Sequence, residues 1–389
     1  MNNAINNENK KLNVPNLRFP EFQGEWEEHY LSDYLDFKNG LNPKPDKFGK
    51  GIKFISVMDI LNNAIITNDC IRASVDVSEE ELQNFCVENG DMLFQRSSET
   101  LEDVGRANVY MDDKPAVFGG FVIRGKKKAE YNPLFFRYLL ASPFARKKII
   151  PMGAGAQHFN IGQEGLNRVK LHFASLDEQK KIAKILSLLD ERIATQSKII
   201  EDLKKLNLRI SENLFKAVNG DVVILSEICE IIKGKQVNGE FLSEKGKYYV
   251  MNGGTEPSGY YSDYNVEANT ISISEGGNSC GYVQFNTSPF WSGGHCYTIQ
   301  KIAGNVDYLY LYHYLKSKED AIMKLRIGSG LPNIQKKDLA MFKIKIPTVE
   351  QQKAISTFLS SLERKAEIEE RIQNAMQKEK QYLLRQMFI

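Results

Sequence analysis

The chain has 389 residues with 51 Lys+Arg against 49 Asp+Glu, a formal net charge of +2. That length allows two or three domains of ordinary size, and the balanced charge excludes a global field drawing the molecule to nucleic acid or anionic lipid, so such binding would have to use local patches. Five cysteines (Cys70, Cys86, Cys229, Cys280 and Cys296) form no C-x-x-C pair, the opening MNNAINNENKK has no apolar signal core, and no run approaches about 18 apolar residues, which predicts free thiols and a cytoplasmic protein that spans no membrane.

Residues 1–15 are expected to be a polar tail and residues 16–175 a first domain. In it, Pro15, Pro20 and Gly24 punctuate aromatics ahead of a short amphipathic helix near Leu31 to Phe37. Between Gly40 and Gly125 the short alternating runs KFISVMDI, GDMLFQR, RANVYM and VFGGFVIRG are separated by Asn, Asp and Gly and predict irregular β-structure. Asn132 and Pro133 then open a helix over NPLFFRYLLASPFARKKI. A long helix is expected over 176–218, a second β-rich domain over 219–347 with DYLYLYHYLKSKEDAIMKL as its matching helix, and a distal long helix over 348–389.

The two long helices are near-copies. LDEQKKIAKILSLLDERI from Leu176 and VEQQKAISTFLSSLERKA from Val349 stand 173 residues apart (349 − 176), and Gln179, Lys180, Ile182, Leu186, Ser187 and Leu189 recur as Gln352, Lys353, Ile355, Leu359, Ser360 and Leu362. Their flanks repeat as well: GAGAQHFNIGQEGLNRVKLHFAS and GSGLPNIQKKDLAMFKIKIPT each join a Gly-rich loop to Asn-Ile and a strand-like run. Further upstream VFGGFVIR pairs loosely with FWSGGHCYTI, and LSDYLDFKNG with LSEICEIIKGK. The chain is a degenerate tandem duplication. Apolar residues at 182, 186, 189, 193, 200, 203, 210 and 214 make a heptad seam with Gln196 and Asn207 in its gaps. Ile182, Leu186, Leu189, Ile193 and Leu203 are therefore expected to meet Ile355, Leu359, Leu362, Ile372 and Met376 of the second helix, whose stripe Glu369 interrupts; the alternative is that each helix packs on its own half.

Candidate chemistry is sparse. Gly120, Gly125 and Lys126 approach a phosphate-binding loop, but Lys127 stands where Ser or Thr should hold magnesium. Asn132 to Phe135 resembles half of an Asn-Pro-Pro-aromatic loop without its second proline, and His295 beside Cys296 has no second ligand pair with zinc spacing. No catalytic residue, cofactor site or metal site is assigned, and the chain is expected to catalyse nothing by itself. What remains are polar, Gly-rich loops. Arg can read guanine and Asn or Gln adenine through paired hydrogen bonds, while Gly lets a backbone approach phosphates. The candidate DNA-contacting residues are Arg96, Ser97, Ser98, Arg106, Gln157, His158 and Asn160 in the first half. In the second they are Lys235, Asn252, Thr255, Asn278, Ser279, His295, Ser329, Asn333 and Lys336.

The repeated order of variable β-rich half, Gly-rich loop, strand and ASLDEQKKIAKIL or IPTVEQQKAISTFL, with the opening VPNLRFPEFQGEW, resembles the DNA-specificity subunit of type I restriction-modification enzymes. The family pattern at the junction is roughly Pro-x-x-x-Glu-Gln; the first copy has Ala174 but keeps Glu178 and Gln179, and the second keeps Pro347 but has Gln351. The resemblance implies an α+β fold with two related target-recognition domains separated by an antiparallel pair of long coiled-coil helices, a pseudo-two-fold internal repeat. It also implies that the partners are double-stranded DNA read at a split target, two methyltransferase subunits and motor-nuclease subunits, with S-adenosylmethionine, ATP and magnesium used by those subunits. The rivals are a coiled-coil scaffold that touches no DNA and an enzyme whose site is not recognised.

Overall fold

The computed structural model describes residues 13–328 and 332–389, which form two compact units. One comprises the chain through Gln196 together with Ile372–Ile389, the other Ser197–Arg371.

In the first unit β1 (Glu27–Tyr30) pairs antiparallel with β11 (Lys170–Phe173). The main sheet has the order β2 (Leu35–Asn39), β9 (Val122–Lys127), β5 (Met92–Gln95), β7 (Ala107–Val109), antiparallel throughout. In a second sheet β3 (Phe48–Ile55) pairs antiparallel with β4 (Ser74–Val75) and parallel with β8 (Ala116–Phe118), and β6 (Ser97–Ser98) pairs with β10 (Phe159–Asn160). The short helix expected over Leu31 to Phe37 ends at Tyr34. Leu35 and Phe37 are buried with Asp36 exposed between them, a period of two, and they belong to β2.

The second unit repeats this plan. β12 (Asp221–Ile224) pairs antiparallel with β20 (Lys343–Ile346). The main sheet runs β13 (Glu230–Lys233), β19 (Cys296–Gln300), β16 (Thr270–Ser274), β17 (Val283–Asn286), again antiparallel. In its companion sheet β14 (Tyr248–Met251) pairs antiparallel with β15 (Tyr260–Tyr261) and parallel with β18 (Trp291–Ser292). Two β-rich folds of one topology thus come from one chain, whatever the drift between their sequences.

The long helices span Leu176–Ala217 and Val349–Gln386. In the first unit Ile182 and Leu186 are buried in one cluster with Met387 and Phe388, and Asp190 pairs with Lys380. In the second, Phe215 shares a core with Leu359, Ile355 and Leu362, and Lys204 Nζ lies 2.6 Å from Glu370 Oε1. Within each unit the two helix segments therefore run antiparallel. Leu189, Ile193, Leu203, Ile355, Leu362 and Met376 are half-buried along this stripe. Ile372 is instead 39% exposed, because the stripe steps from Glu369 through Gln373 to Met376, all half-buried. Among the described residues no helix is long and apolar enough to cross a membrane.

The repeated polar residues of the helix starts have one mechanical role. Gln179 is buried; its Oε1 accepts from Asn132 N at 3.0 Å and its Nε2 donates to Ala174 O at 2.9 Å. Gln352, also buried, accepts from Asp307 N at 2.7 Å and donates to Pro347 O at 2.9 Å. Asn132 and Asp307 cap the helices Pro133–Ala141 and Tyr308–Ser317 through their side chains. Each amide therefore ties the strand-to-helix junction to the cap of a neighbouring helix, satisfying buried backbone groups that would otherwise each cost about 1–3 kcal/mol. Glu178 is buried because Arg18 donates to both its oxygens at 2.8 Å and Trp26 Nε1 lies 3.3 Å away. Gln351, at the same place in the second copy, is exposed, and its backbone N–H donates to the Thr348 hydroxyl at 3.4 Å.

Eleven residues past each of these amides sits a partly buried carboxylate. Asp190 accepts from Tyr138 Oη at 2.8 Å and lies 3.4 Å from Arg137 Nη1. Its repeat, Glu363 (190 + 173), accepts from Tyr312 Oη at 3.2 Å and faces His313 Nδ1 at 3.6 Å, while His313 Nε2 is 2.9 Å from Ser360 Oγ. Burial pushes His313 from its ordinary 6.5 down to about 4 and pushes Glu363 up. The folded His313 stays neutral while the unfolded chain takes up a proton near its ordinary value. The second unit should therefore lose stability, on the order of 3 kcal/mol at most, as pH falls from about 6.5 towards 4; protonation of Glu363 partly offsets the loss. Thermal unfolding between pH 7.5 and 4.5 should show this slope, and His313→Gln should flatten it.

Candidate nucleic-acid interface

Each main sheet ends in a turn that carries a pair of glycines, and the two turns are built alike. In the first unit Leu41 N donates to Phe118 O at 3.0 Å, and in the second Lys235 N donates to Ser292 O at 2.8 Å. A Cβ on Gly40 would stand 2.1 Å from Gly119 O, and one on Gly234 2.2 Å from Gly293 O. These approaches are backbone against backbone, so nothing flexible can yield. The second glycine of each pair faces a side-chain amide: Asn42 Oδ1 is 2.1 Å from a Cβ built on Gly120, and Gln236 Oε1 is 2.7 Å from one on Gly294.

Three segments meet at each turn through the same backbone bonds. Arg96 N donates to Phe121 O at 2.9 Å and Arg96 O accepts from Ile161 N at 2.9 Å; Glu275 N donates to His295 O at 2.9 Å and Glu275 O accepts from Ile334 N at 2.8 Å. Asn160 exchanges both backbone bonds with Ala154, and Asn333 does so with Ile327. The structural equivalents are thus Arg96 with Glu275, Phe121 with His295, and Asn160 with Asn333. The backbone is one design carrying different side chains.

In the first unit Arg96 is half-buried, makes no ion pair among the described residues, and donates from Nη1 to Gly120 O at 3.2 Å. The Ser97 hydroxyl donates to Asn160 Oδ1, Ser98 is opposite Phe159 in the β6–β10 pair, and Asn160 Nδ2 donates to His158 O at 3.3 Å. Gln157 and His158 are exposed in the same loop. Arg106 stands apart: it pairs with Asp103 at 2.6 Å and lines a separate cavity of about 380 Å³ with Arg137 and Arg146. Burial and the nearby Arg106 lower the Arg146 guanidinium to about 10.

In the second unit Asn252, His295 and Asn333 line one open cavity of about 550 Å³ with Gly253, Gly276 and Gly277. Asn252 Oδ1 accepts from His295 N at 3.1 Å, which fixes the turn. Glu275, which sequence reasoning missed, is buried beneath it. Its Oε1 lies 2.6 Å from Lys233 Nζ and 3.0 Å from Tyr297 Oη, while Oε2 has no hydrogen-bond partner and faces His295 Nδ1 at 3.7 Å. Its signal was a strand-like ISISE before Gly-Gly, matching MLFQR before Ser-Ser. Asn278 is exposed and Ser279 half-buried in the loop after Glu275, and Lys235, Thr255 and Lys336 are exposed. Ser329 lies outside the described residues.

Comparison with known proteins matches the chain to the model for the type I restriction modification DNA specificity domain twice, over residues 23–205 and 218–378. The chain belongs to this family. It is 26% identical over 413 residues to a Methanocaldococcus jannaschii chain assigned as the MjaX type I restriction enzyme specificity subunit, covering 96% of this chain and 95% of that one. To the MjaVIII specificity subunit of the same organism it is 24% identical over 415 residues, covering 95% and 92%. The crystal structure of the type I restriction-modification S subunit from M. genitalium superposes with a TM-score of 0.63 at 18% identity, covering 97% of this chain and 99% of that one, a likeness of fold. Family membership makes this a specificity chain for sequence-specific DNA recognition in a type I restriction-modification system.

If the glycine contacts set the turns, Gly40→Ala should destabilise the first unit and Gly234→Ala the second, each by about 2–3 kcal/mol. Limited proteolysis, followed by identification of the fragments, should find the opened unit to be the mutated one.

Proposed function

We propose that the chain reads a split duplex target with one reader per unit, each centred on its paired-glycine turn. Arg96, Ser97, Ser98 and Asn160 face one half-site, and Asn252, His295 and Asn333 the other. The observation that carries this reading is the duplicated turn, where the same backbone bonds present different side chains. Reading two different half-sites needs a common frame and different contacts, which is the pairing that the two turns present.

The chain itself supplies recognition and no chemistry. Methylation comes from two methyltransferase subunits using S-adenosylmethionine, and cleavage from motor-nuclease subunits using ATP and magnesium, all in the cytoplasm. Support for two equivalent docking faces lies on the helices. Ile185 is 40% exposed and Ile199 41%, and their repeats Phe358 and Ile372 (185 + 173 and 199 + 173) are 47% and 39% exposed. Four large apolar side chains left in solvent at repeat-related positions fit two copies of one partner better than they fit a solvated helix.

Selection from a random duplex pool should enrich one split motif, with affinity falling steeply as salt rises. Arg96→Ala should weaken binding by about 1–3 kcal/mol and relax one half of the motif only. Unchanged affinity and motif would remove Arg96 from the interface. Ile185→Ser combined with Phe358→Ser should leave stability within about 0.5 kcal/mol yet prevent co-purification with the methyltransferase subunit; full retention of that subunit would place docking elsewhere.

A further inference from the structure

The residue that follows each glycine pair separates the two readers chemically. In the first unit it is Phe121, 68% exposed; in the second it is His295, held by Asn252 and facing Glu275. Phe121 stands at the mouth of an open cavity of about 420 Å³ whose wall is mostly apolar, with Leu41, Phe48, Phe54 and Met58, and which reaches Ser97 and Gly120. Phe48 and Met58 are exposed beside it.

A large aromatic ring is ordinarily the first thing a fold buries, and a flexible loop would let it fold back onto this apolar wall. This turn cannot yield. The Cβ positions of Gly119 and Gly120 are taken by the Phe54 ring and by Asn42, and the Phe121 carbonyl is held by Arg96 N. The ring is therefore presented by a rigid frame. Lys44 and Lys47, next in sequence to the lining residues Pro43 and Phe48, are exposed, and Lys47 shares the single carboxylate of Asp76 with Lys50. An apolar tip presented from an apolar wall, next to the Arg96 guanidinium and the Ser97 hydroxyl, fits a duplex groove edge that carries an apolar atom beside polar ones. The 5-methyl of thymine is the only apolar group in the base-pair code of the major groove.

We propose that Phe121 is a specificity-determining residue that selects a thymine in the first unit's half-site by contact with its 5-methyl group, while His295 makes the equivalent contact polar in the other half-site. This rests on the DNA-reading assignment above. The probe is the chain's own selected duplex, with each thymine of both half-sites replaced in turn by deoxyuridine, which removes only the methyl group. For the full chain, one position in one half-site should lose about fourfold in affinity, the worth of one buried methyl. Phe121→Ala should lose a similar factor on the unmodified duplex and be indifferent to deoxyuridine at that position. Phe121→Leu, which keeps an apolar tip, should retain the sensitivity.

If no deoxyuridine position matters, if both half-sites lack thymine, or if Phe121→Ala keeps full sensitivity, the proposal is overturned while sequence-selective binding by the chain still stands. Absence of any sequence-selective binding would instead defeat the DNA-reading assignment itself.

Discussion

The amides of Gln179 and Gln352 fix how each half of this protein is assembled. Each is buried at the start of a long helix, and each binds both the strand end before that helix and the backbone at the cap of a second helix. Buried amides are retained where their hydrogen bonds are complete, because an apolar replacement would orphan the backbone groups they serve. Thus the helix that departs from each β-rich unit leaves it at a fixed junction. The carboxylates eleven residues further on, Asp190 and Glu363, repeat the fastening with different donors. The duplication preserves the mechanical joint and lets its chemistry drift.

The same division holds at the glycine turns. What stays constant there is backbone: the close approach of Gly40 and Gly234 to carbonyls, and the bonds that join three segments. What changes is the side chain carried by that frame, Arg96 against Glu275 and Phe121 against His295. The consequences differ in kind. One guanidinium nitrogen of Arg96 donates to the Gly120 carbonyl, whereas Glu275 is largely consumed by Lys233 and Tyr297, with its second oxygen 3.7 Å from His295 Nδ1.

How far the sequence alone revealed this depended on how the repeat offset behaves. Near the helices it is constant at 173, so the joined pairs Gln179 with Gln352 and Asn160 with Asn333 were visible as text. Upstream, loops of different length change it: Phe121 and His295 are 174 apart, Arg96 and Glu275 179, Gly40 and Gly234 194. Glu275 escaped notice for that reason, since no single shift aligns it with Arg96. Apolar character alone points Ile372 to the seam, but Gln373 takes the half-buried place and Ile372 shares the exposure of its repeat Ile199. Phe37 reads as helical from sequence because the run is too short to separate periods of two and 3.6 without knowing which faces are covered.

The proposed independence of two readers built on one frame is the property on which split recognition depends. Its most direct test is to exchange residues 16–174 for those of a relative with a different specificity and to read, by single-molecule sequencing, the methylated motif that the assembled complex leaves in genomic DNA. Replacement of one half of the motif, with the other half intact, is the predicted result. A motif altered in both halves, or in neither, would contradict it.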